Sequence, residues 1–299
     1  MSSTIAVLGP GGVGGFVAAA LARAGDDVVV VAREPTAEAL AADGIEVRSV
    51  MLGDFTVRPG AVASLREPAE VLIVATKATG LRESLERVLA PPGLVVPLLN
   101  GLDHMELLRE HFGAGRVAAG TIRIESDRPA TGVIVHTSPF LRIDLASDDP
   151  TLQPALERLA ARLRGAEIPV QIGTSEAQVL WSKLVRLNAL ACTTSVVDRP
   201  IGFIRSDPEW RPTLVACLEE ASAVAAADGA QVLATNALAE LDQAHAELGS
   251  SMQRDIAAGR EPELDAIPGA VLRAAARHRL ACPTIERLVA AIAERAAVS

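Results

Sequence analysis

The chain has 299 residues, of which 49% are hydrophobic and 22% charged, and its formal net charge is −9. This composition is typical of a globular protein long enough for two domains; it excludes an intrinsically disordered chain, and the acidic balance argues against a nucleic-acid partner. No apolar run approaches the roughly 20 residues that a membrane-spanning helix needs, and no basic stretch precedes an apolar signal core, so we expect no membrane partner and a cytoplasmic protein.

A glycine-rich turn follows the first predicted strand. Residues 4–8 are an apolar run typical of a buried strand, and residues 16–24 are a small-residue run typical of a helix. The turn between them matches G-x-G-x-x-G, a spacing that allows a tight turn, the approach of a pyrophosphate and close helix packing. We therefore predict dinucleotide binding at the helix N-terminus, the alternative being a purely structural turn. The predicted cofactor-binding residues here are Gly9, Gly11, Gly12, Val13 and Gly14.

The second predicted strand, residues 28–32, ends at Arg33. NAD-binding units usually carry an acid at this point to hold the ribose 2′-hydroxyl, whereas an arginine fork suits a 2′-phosphate. Arg33 therefore favours NADP(H) as the cofactor. The adjacent Glu34 argues the other way, and Arg33 as a solvated charge is the alternative.

Lysine is scarce in this chain: of 28 basic residues only Lys77 and Lys183 are lysines. Lysine can donate a proton after a pKa shift, and arginine cannot, so a lysine kept against this bias is a candidate for chemistry. Lys77 follows the apolar run 71–75, and the equally scarce Asn100 follows the run 93–99. The carboxyl ends of parallel strands are where α/β sheets bind ligands. We predict that both residues contact cofactor and substrate; an exposed lysine and an Asn-Gly turn are the alternatives.

Residues 117–145 contain three further strand-like segments, which we interpret as antiparallel additions to the sheet. His136 is the single histidine in these segments, and we expect it to be structural. After residue 172 the strand pattern stops, which predicts an α/β domain over residues 1–173 and an all-α domain over 174–299. Helices near 214–227 and 272–281 are apolar enough for a homodimer face or for core.

Lys183 lies in an apolar predicted helix, residues 180–191. Desolvation lowers the pKa of an amine, so a lysine in this setting suits a general acid near neutral pH. Three isolated cysteines (Cys192, Cys217 and Cys282) have no metal-ligand spacing, so we expect buried side chains and no metal.

Taken together, these motifs resemble the ketopantoate reductase (2-dehydropantoate 2-reductase) family in order and approximate spacing over nearly the whole chain. The matching residues are the glycine-rich turn, Arg33, Thr76-Lys77-Ala78, Asn100-Gly101, Trp181-Ser182-Lys183-Leu184, Ser250-Ser251-Met252, Glu263-Leu264-Asp265 and Gly269. The resemblance implies a Rossmann-type doubly wound N-terminal sheet, a C-terminal helical domain and an active site in the cleft between them.

The resemblance also implies roles for single residues. Lys183 is expected to protonate the nascent alkoxide as hydride arrives, and Glu263 to orient both the substrate and Lys183. Ser251, Asn100 and Lys77 are expected to bind the substrate, the last two also contacting the cofactor. The implied reaction is the NADPH-dependent reduction of a 2-oxo acid to a 2-hydroxy acid.

One departure concerns the substrate. Family members that make pantoate often carry asparagines four and eight residues after the lysine, where this chain has Leu187 and Ala191. Asn188 lies about 100° further round the helix. The reaction type is unaffected, but the substrate is then ketopantoate or a less polar relative. A reductase of another carbonyl or imine, and a non-catalytic NADP(H)-binding regulator, are the alternatives.

Overall fold

The computed structural model describes residues 3–298; residues 1, 2 and 299, at the outer ends of the two predicted domains, lie outside it. The chain divides into two compact units. The first holds the residues up to Leu99 together with His104–Val179. The second holds Asn100–Asp103 and the chain from Leu180 onward.

The first unit alternates strands and helices. Its elements are β1 (Ile5–Leu8), α1 (Gly12–Arg23), β2 (Val28–Val31), α2 (Glu34–Asp43), β3 (Ile45–Ser49), β4 (Phe55–Val57), β5 (Gly60–Val62), β6 (Val71–Val74), α3 (Leu81–Leu85), β7 (Leu94–Pro97), α4 (His104–Phe112), β8 (Ala119–Arg123), β9 (Ser126–Ala130), β10 (Val133–His136), β11 (Arg142–Ala146), α5 (Gln153–Gly165) and β12 (Val170–Ile172).

A five-stranded parallel sheet, in the order β5-β2-β1-β6-β7, forms the centre of this unit. Every residue of β1, β6 and β7 is buried, as expected of parallel strands that are covered on both faces. The strand order reverses at β1, so β2 and β6 flank it. This is the switch point at which such sheets bind ligands. The arrangement confirms the predicted Rossmann-type fold.

The strands that follow residue 117 belong to two further sheets. β8 pairs antiparallel with β11 in the sheet β12-β11-β8, and β9 pairs antiparallel with β10 in the sheet β4-β3-β10-β9. The prediction that they extend the central sheet is therefore wrong for β9 and β10, whereas the segment leading into β8 forms a parallel bridge with β7 between Val117 and Val95. The reason is that β3 and β4 form a separate antiparallel pair, and β3 accepts β10 as a parallel neighbour. His136, on β10, is buried between Ser49 and Ser138, as its structural interpretation requires.

The second unit is helical in its described residues, as predicted. Its elements are α6 (Glu176–Val197, which begins in the first unit), α7 (Ile201–Ser206), α8 (Trp210–Ala227), α9 (Ala234–Gln243), α10 (Ser251–Ala257), α11 (Ala270–His278) and α12 (Pro283–Val298). A π-helical turn, Asp265–Gly269, directly precedes α11.

Apolar side chains fill the interior of the helical unit. α8 and α11 both bury apolar residues, so the stretches flagged for a homodimer contribute to the core, and the homodimer stays a prediction. All three cysteines are buried. Burial raises the pKa of the Cys282 thiol to about 11, which keeps it protonated. Among the described residues no helix is long and apolar enough to cross a membrane.

Candidate functional site

The glycine-rich turn connects β1 to α1, and the protein itself requires three of its glycines: Gly9, Gly14 and also Gly12, where a Cβ would overlap the carbonyl oxygen of Ser126. Gly9 has a φ of +92°, and a Cβ there would lie 2.7 Å from Cγ2 of Thr76. A Cβ on Gly14 would overlap the carbonyl oxygen of Gly9. Gly11 differs: a Cβ on it would meet no heavy atom of the described residues within 4 Å. The open side of Gly11 therefore leaves room for a ligand to approach the backbone.

The N-terminus of α1 has the features of an anion site. Gly11 is its N-cap in an extended conformation, no side chain caps the helix, and its first turn contains no acid. The N–H groups of Gly12, Val13 and Gly14 precede the first intrahelical bond, from Gly15 to Gly11. Beside the turn, Oγ1 of Thr76 is buried with no hydrogen-bond partner among the described residues. These features fit the pyrophosphate of a dinucleotide.

Arg33 and Lys77 follow the two strands that flank β1. Both side chains are exposed. Arg33 is the N-cap of α2, and Glu34 opens that helix, where a carboxylate stabilises the positive end of the helix dipole. Lys77 is the N-cap of the short 3₁₀ helix Ala78–Gly80. The structure thus brings the glycine-rich turn and both predicted cations to one edge of the sheet.

A third cation at this edge was not apparent in the sequence. Nη1 of Arg128, on β9, lies 3.4 Å from the carbonyl oxygen of Pro10 in the glycine-rich turn. Ser126, also on β9, donates to the carbonyl oxygen of Gly12 at 2.9 Å. β9 reaches the turn only because its sheet packs against α1, a tertiary contact for which the sequence carries no signal.

In the helical unit, two predicted site residues meet directly. Nδ2 of Asn100 donates to Oε2 of Glu263 at 2.9 Å, and Glu263 is buried. Gly101 has a φ of +85°, and a Cβ on it would overlap the carbonyl oxygen of Ala266. The backbone at Gly101 therefore lies against the π-helical turn. π-helical turns are frequent at functional sites.

Arg273 fixes the same turn from α11. Its guanidinium donates to Asp103 through Nε at 3.1 Å and Nη2 at 2.5 Å, and to Asp265 through Nη1 at 2.6 Å. One arginine thus ties the segment that carries Asn100 to the turn that follows Glu263. The sequence singled out Asp265 but gave no reason to select Arg273 or Asp103.

Lys183 is half-buried on α6. Two residues earlier, Nε1 of Trp181 donates to Asp228 at 2.9 Å, and Asp228 also contacts Nε2 of His278 at 2.8 Å. Burial alone would raise the pKa of Asp228, but the hydrogen bonds from His278 and Trp181 outweigh it and the pKa lies below its ordinary value. These contacts hold the helix that carries Lys183.

The remaining predicted residue, Ser251, begins α10 and is half-buried. Ser250 before it is the N-cap: its hydroxyl accepts from the backbone of Gln253 at 3.0 Å and pairs with Thr194. Ser250 is thus occupied in capping, and Ser251 is the hydroxyl that the pair can offer to a ligand.

Asn188 does not replace the asparagines expected at 187 and 191. It is completely buried, donates to Sγ of Cys217 at 3.3 Å and accepts from Sγ of Cys192 at 3.6 Å. Leu187 is half-buried. The helix position four residues after Lys183 is therefore apolar, and the nearest asparagine faces the core.

Comparison with known proteins gives one consistent result. Residues 5–147 match the family model described as Ketopantoate reductase PanE/ApbA, and residues 177–296 match Ketopantoate reductase PanE/ApbA C terminal. A 2-dehydropantoate 2-reductase of Mycobacterium tuberculosis is 33% identical over 98% of both chains. The Uncharacterized oxidoreductase YkpB of Bacillus subtilis is 29% identical over 95% of this chain and 96% of its own.

Solved structures agree with this result. The 2-dehydropantoate 2-reductase of Geobacter metallireducens is 27% identical, with a TM-score of 0.89 over 97% of this chain and 99% of that one. A ternary structure of D-mandelate dehydrogenase with NADH and anilino(oxo)acetate has a TM-score of 0.90 over 99% of this chain and 98% of that one. Its sequence is 16% identical, so this likeness concerns the fold alone.

Proposed function

The chain belongs to the ketopantoate reductase family, and we propose that it reduces a 2-oxo acid to the 2-hydroxy acid with NADPH. Membership makes it a nicotinamide-dependent oxidoreductase of CH–OH groups. The observation that carries the finer proposal is the hydrogen bond between Asn100 and Glu263. A buried carboxylate held by an amide beside a π-helical turn is an arrangement for orienting a polar ligand.

Each predicted residue has a physical task in this reaction. When bound, the reduced nicotinamide supplies the hydride. Lys183 donates the proton to the carbonyl oxygen, a task that fits an amine but not a guanidinium. Glu263 orients Lys183 and the substrate, while Asn100 and Ser251 hydrogen-bond to the substrate.

Anionic ligands also need local positive charge in a chain whose net charge is −9. In the proposal, Lys77 attracts the carboxylate of the 2-oxo acid. Arg33 binds the 2′-phosphate of NADPH through its planar fork. Glu34 lies in the first turn of α2, where it favourably meets the helix dipole, and the proposal therefore assigns it no contact with the ribose hydroxyl.

A second candidate substrate is a 2-oxo acid without a distal hydroxyl. The apolar Leu187 and the inward-facing Asn188 favour it, because a site that lacks a polar partner for a hydroxyl gains nothing from that group. Ketopantoate and 3,3-dimethyl-2-oxobutanoate differ only by this hydroxyl, so they form a matched pair. A preference for the second acid that Leu187→Asn reverses would identify Leu187 as the residue responsible.

The test of the mechanism is steady-state oxidation of NADPH with this pair of acids. We expect Lys183→Ala to lower kcat by about 10²–10⁴-fold. Lys183→Arg keeps the charge but cannot donate a proton at neutral pH, so it should lose activity too. Wild-type turnover in Lys183→Arg would contradict proton donation by Lys183. Tight NADPH binding without turnover of either acid, or of a wider panel of carbonyls and imines, would instead favour the regulator.

The cofactor preference is tested separately. We expect Arg33→Ala to lower the affinity for NADPH and leave that for NADH unchanged, because only NADPH carries the 2′-phosphate. Glu34→Gln is the matched control, and its NADPH-to-NADH affinity ratio should stay near the wild-type value. An unchanged ratio in Arg33→Ala would contradict the assignment.

A further inference from the structure

The edge strand β9 lies across the first turn of α1. A Cβ on Gly12 would overlap the carbonyl oxygen of Ser126, and the Ser126 hydroxyl donates to Gly12 at 2.9 Å. β9 is the last strand of the sheet β4-β3-β10-β9, so nothing in that sheet pairs with its outer edge. The contacts with Gly12 fix Ser126, the first residue of β9, against the turn that begins α1.

Arg128 lies two residues after Ser126 on the same strand, and both side chains contact the glycine-rich turn. Its Nη1 is 3.4 Å from the carbonyl oxygen of Pro10, the outer limit of a hydrogen bond. The side chain is exposed, and its other N–H groups have no acceptor among the described residues. Arg128 thus presents a loosely held guanidinium to the glycine-rich turn.

We propose that Arg128 is a cofactor-binding residue whose guanidinium contacts the pyrophosphate of the nicotinamide dinucleotide at the N-terminus of α1. The proposal rests on the proposed function, since it takes the glycine-rich turn as the dinucleotide site. Arginine binds phosphate oxygens in a bidentate manner, and its charge adds to that of the helix N-terminus. In a chain with a net charge of −9, a cation so placed also opposes the general repulsion of a polyanion.

Arg128 and Arg33 have distinguishable tasks under this assignment. NADPH and NADH share the pyrophosphate, so loss of Arg128 should weaken both by the same factor. Adenosine 2′-monophosphate carries a 2′-phosphate and no pyrophosphate, so its binding should depend on Arg33 and not on Arg128.

The experiment measures dissociation constants of NADPH, NADH and adenosine 2′-monophosphate for the wild type, Arg128→Ala, Arg128→Lys and Arg48→Ala. We expect Arg128→Ala to weaken both dinucleotides about tenfold, as for loss of one charge-assisted hydrogen bond, and to leave the mononucleotide unchanged. Arg128→Lys should recover part of the loss. Arg48 lies on β3 of the same sheet and pairs with Glu46 at 2.7 Å, so Arg48→Ala removes an equal charge away from the turn.

Three results would overturn the proposal. Wild-type affinity for both dinucleotides in Arg128→Ala would show that Arg128 does not bind the pyrophosphate. A loss of affinity confined to NADPH would show that Arg128 contacts the 2′-phosphate instead. An equal loss of affinity in Arg48→Ala would show that the effect comes from the net charge of the protein and not from a contact of Arg128. The proposed reductase activity fails differently, through wild-type protein that binds NADPH and reduces no 2-oxo acid. Wild-type protein that binds neither dinucleotide would contradict both the role of Arg128 and the proposed reductase activity.

Discussion

Substitution by alanine should have different effects at Gly11 and Gly14, one on cofactor binding and the other on stability. A Cβ at Gly14 overlaps the backbone oxygen of Gly9, so Gly14→Ala must displace α1 from β1. A Cβ at Gly11 meets no heavy atom of the described residues within 4 Å, and its φ of −74° and ψ of −168° suit alanine. Gly14→Ala should therefore damage the fold, whereas Gly11→Ala should damage only the approach of the pyrophosphate.

The expected magnitudes separate the two effects. Overpacking of this kind costs about 1–3 kcal/mol, so Gly14→Ala should lower Tm by roughly 2–10 °C. Gly11→Ala changes an N-cap that has no side-chain bond, and its cost should stay below about 1 kcal/mol. A methyl group at Gly11 that displaces the pyrophosphate from one charge-assisted N–H contact should weaken dinucleotide binding by about 10–100-fold.

Thermal unfolding without cofactor and titration of NADPH fluorescence measure the two quantities. Gly165→Ala is the control, because its Cβ would also meet nothing within 4 Å among the described residues, and it should leave the affinity unchanged. Unaltered NADPH affinity in Gly11→Ala would refute the reasoning, since the open side of Gly11 would then not be the approach path. A large loss of Tm in the same variant would refute the claim that alanine fits there.

Three further outcomes follow from the contacts. Trp181→Phe removes the bond to Asp228 and should lower the free energy of unfolding by about 1–2 kcal/mol in chemical denaturation. Arg273→Met releases Asp103 from the π-helical turn that follows Glu263 and should lower kcat about tenfold; wild-type kcat would contradict this positioning role. Arg273 and Asp103 are partly exposed and Asp265 is largely exposed, so these ion pairs contribute less than about 1 kcal/mol to stability. Burial lowers the pKa of His136, so its contribution to stability is complete above the unfolded pKa of about 6.5 and is lost as pH falls towards the folded value. His136→Gln should flatten that acid-side decline in Tm, and an unchanged slope would show that other groups cause it.

Burial lowers the pKa of His136 although backbone hydrogen bonds at Phe140 and Ser138 raise it, and the bonds to the two serine side chains favour the neutral ring. Ser138 donates to the carbonyl oxygen of Phe140 at 2.8 Å, so its oxygen must accept from Nε2 of His136. Ser49 accepts from the backbone N–H groups of residues 51 and 52, which leaves its hydroxyl proton for Nδ1. Both bonds are made by the neutral imidazole, and protonation of Nδ1 would break one of them. Nothing in the local sequence could reveal this arrangement, because Ser49 is 87 residues away.

The central sheet was predictable because its signals are local. Each parallel strand is a short apolar run, and the glycine spacing marks the turn after β1. The placement of β8 to β11 was not predictable in the same way, since alternating strands fit any sheet edge with a matching face. β10 joined β3 in parallel, a pairing between segments about 90 residues apart, and that choice is made by packing rather than by local pattern.

Some residues of the candidate site could be predicted from the sequence, and others are revealed only by tertiary contacts. Scarcity of lysine and asparagine in an arginine-rich chain marked Lys77, Lys183 and Asn100, since a rare residue is informative where a common one is not. Arg128 and Arg273 could not be selected in this way, because the chain has 26 arginines and scarcity gives no signal among them. Only their tertiary contacts distinguish them.

The orientation of α6 determines whether its asparagine, Asn188, lies on the same face as Lys183. At 3.6 residues per turn, positions 183 and 187 share a helix face and position 188 lies about 100° away. The complete burial of Asn188 against Cys192 and Cys217 shows that this rotation sends it into the core. The scarce asparagine on this helix therefore serves packing, and in the proposed site Leu187 is the residue beside Lys183 that the substrate would meet. Substrate preference should accordingly change with residue 187 and be insensitive to residue 188.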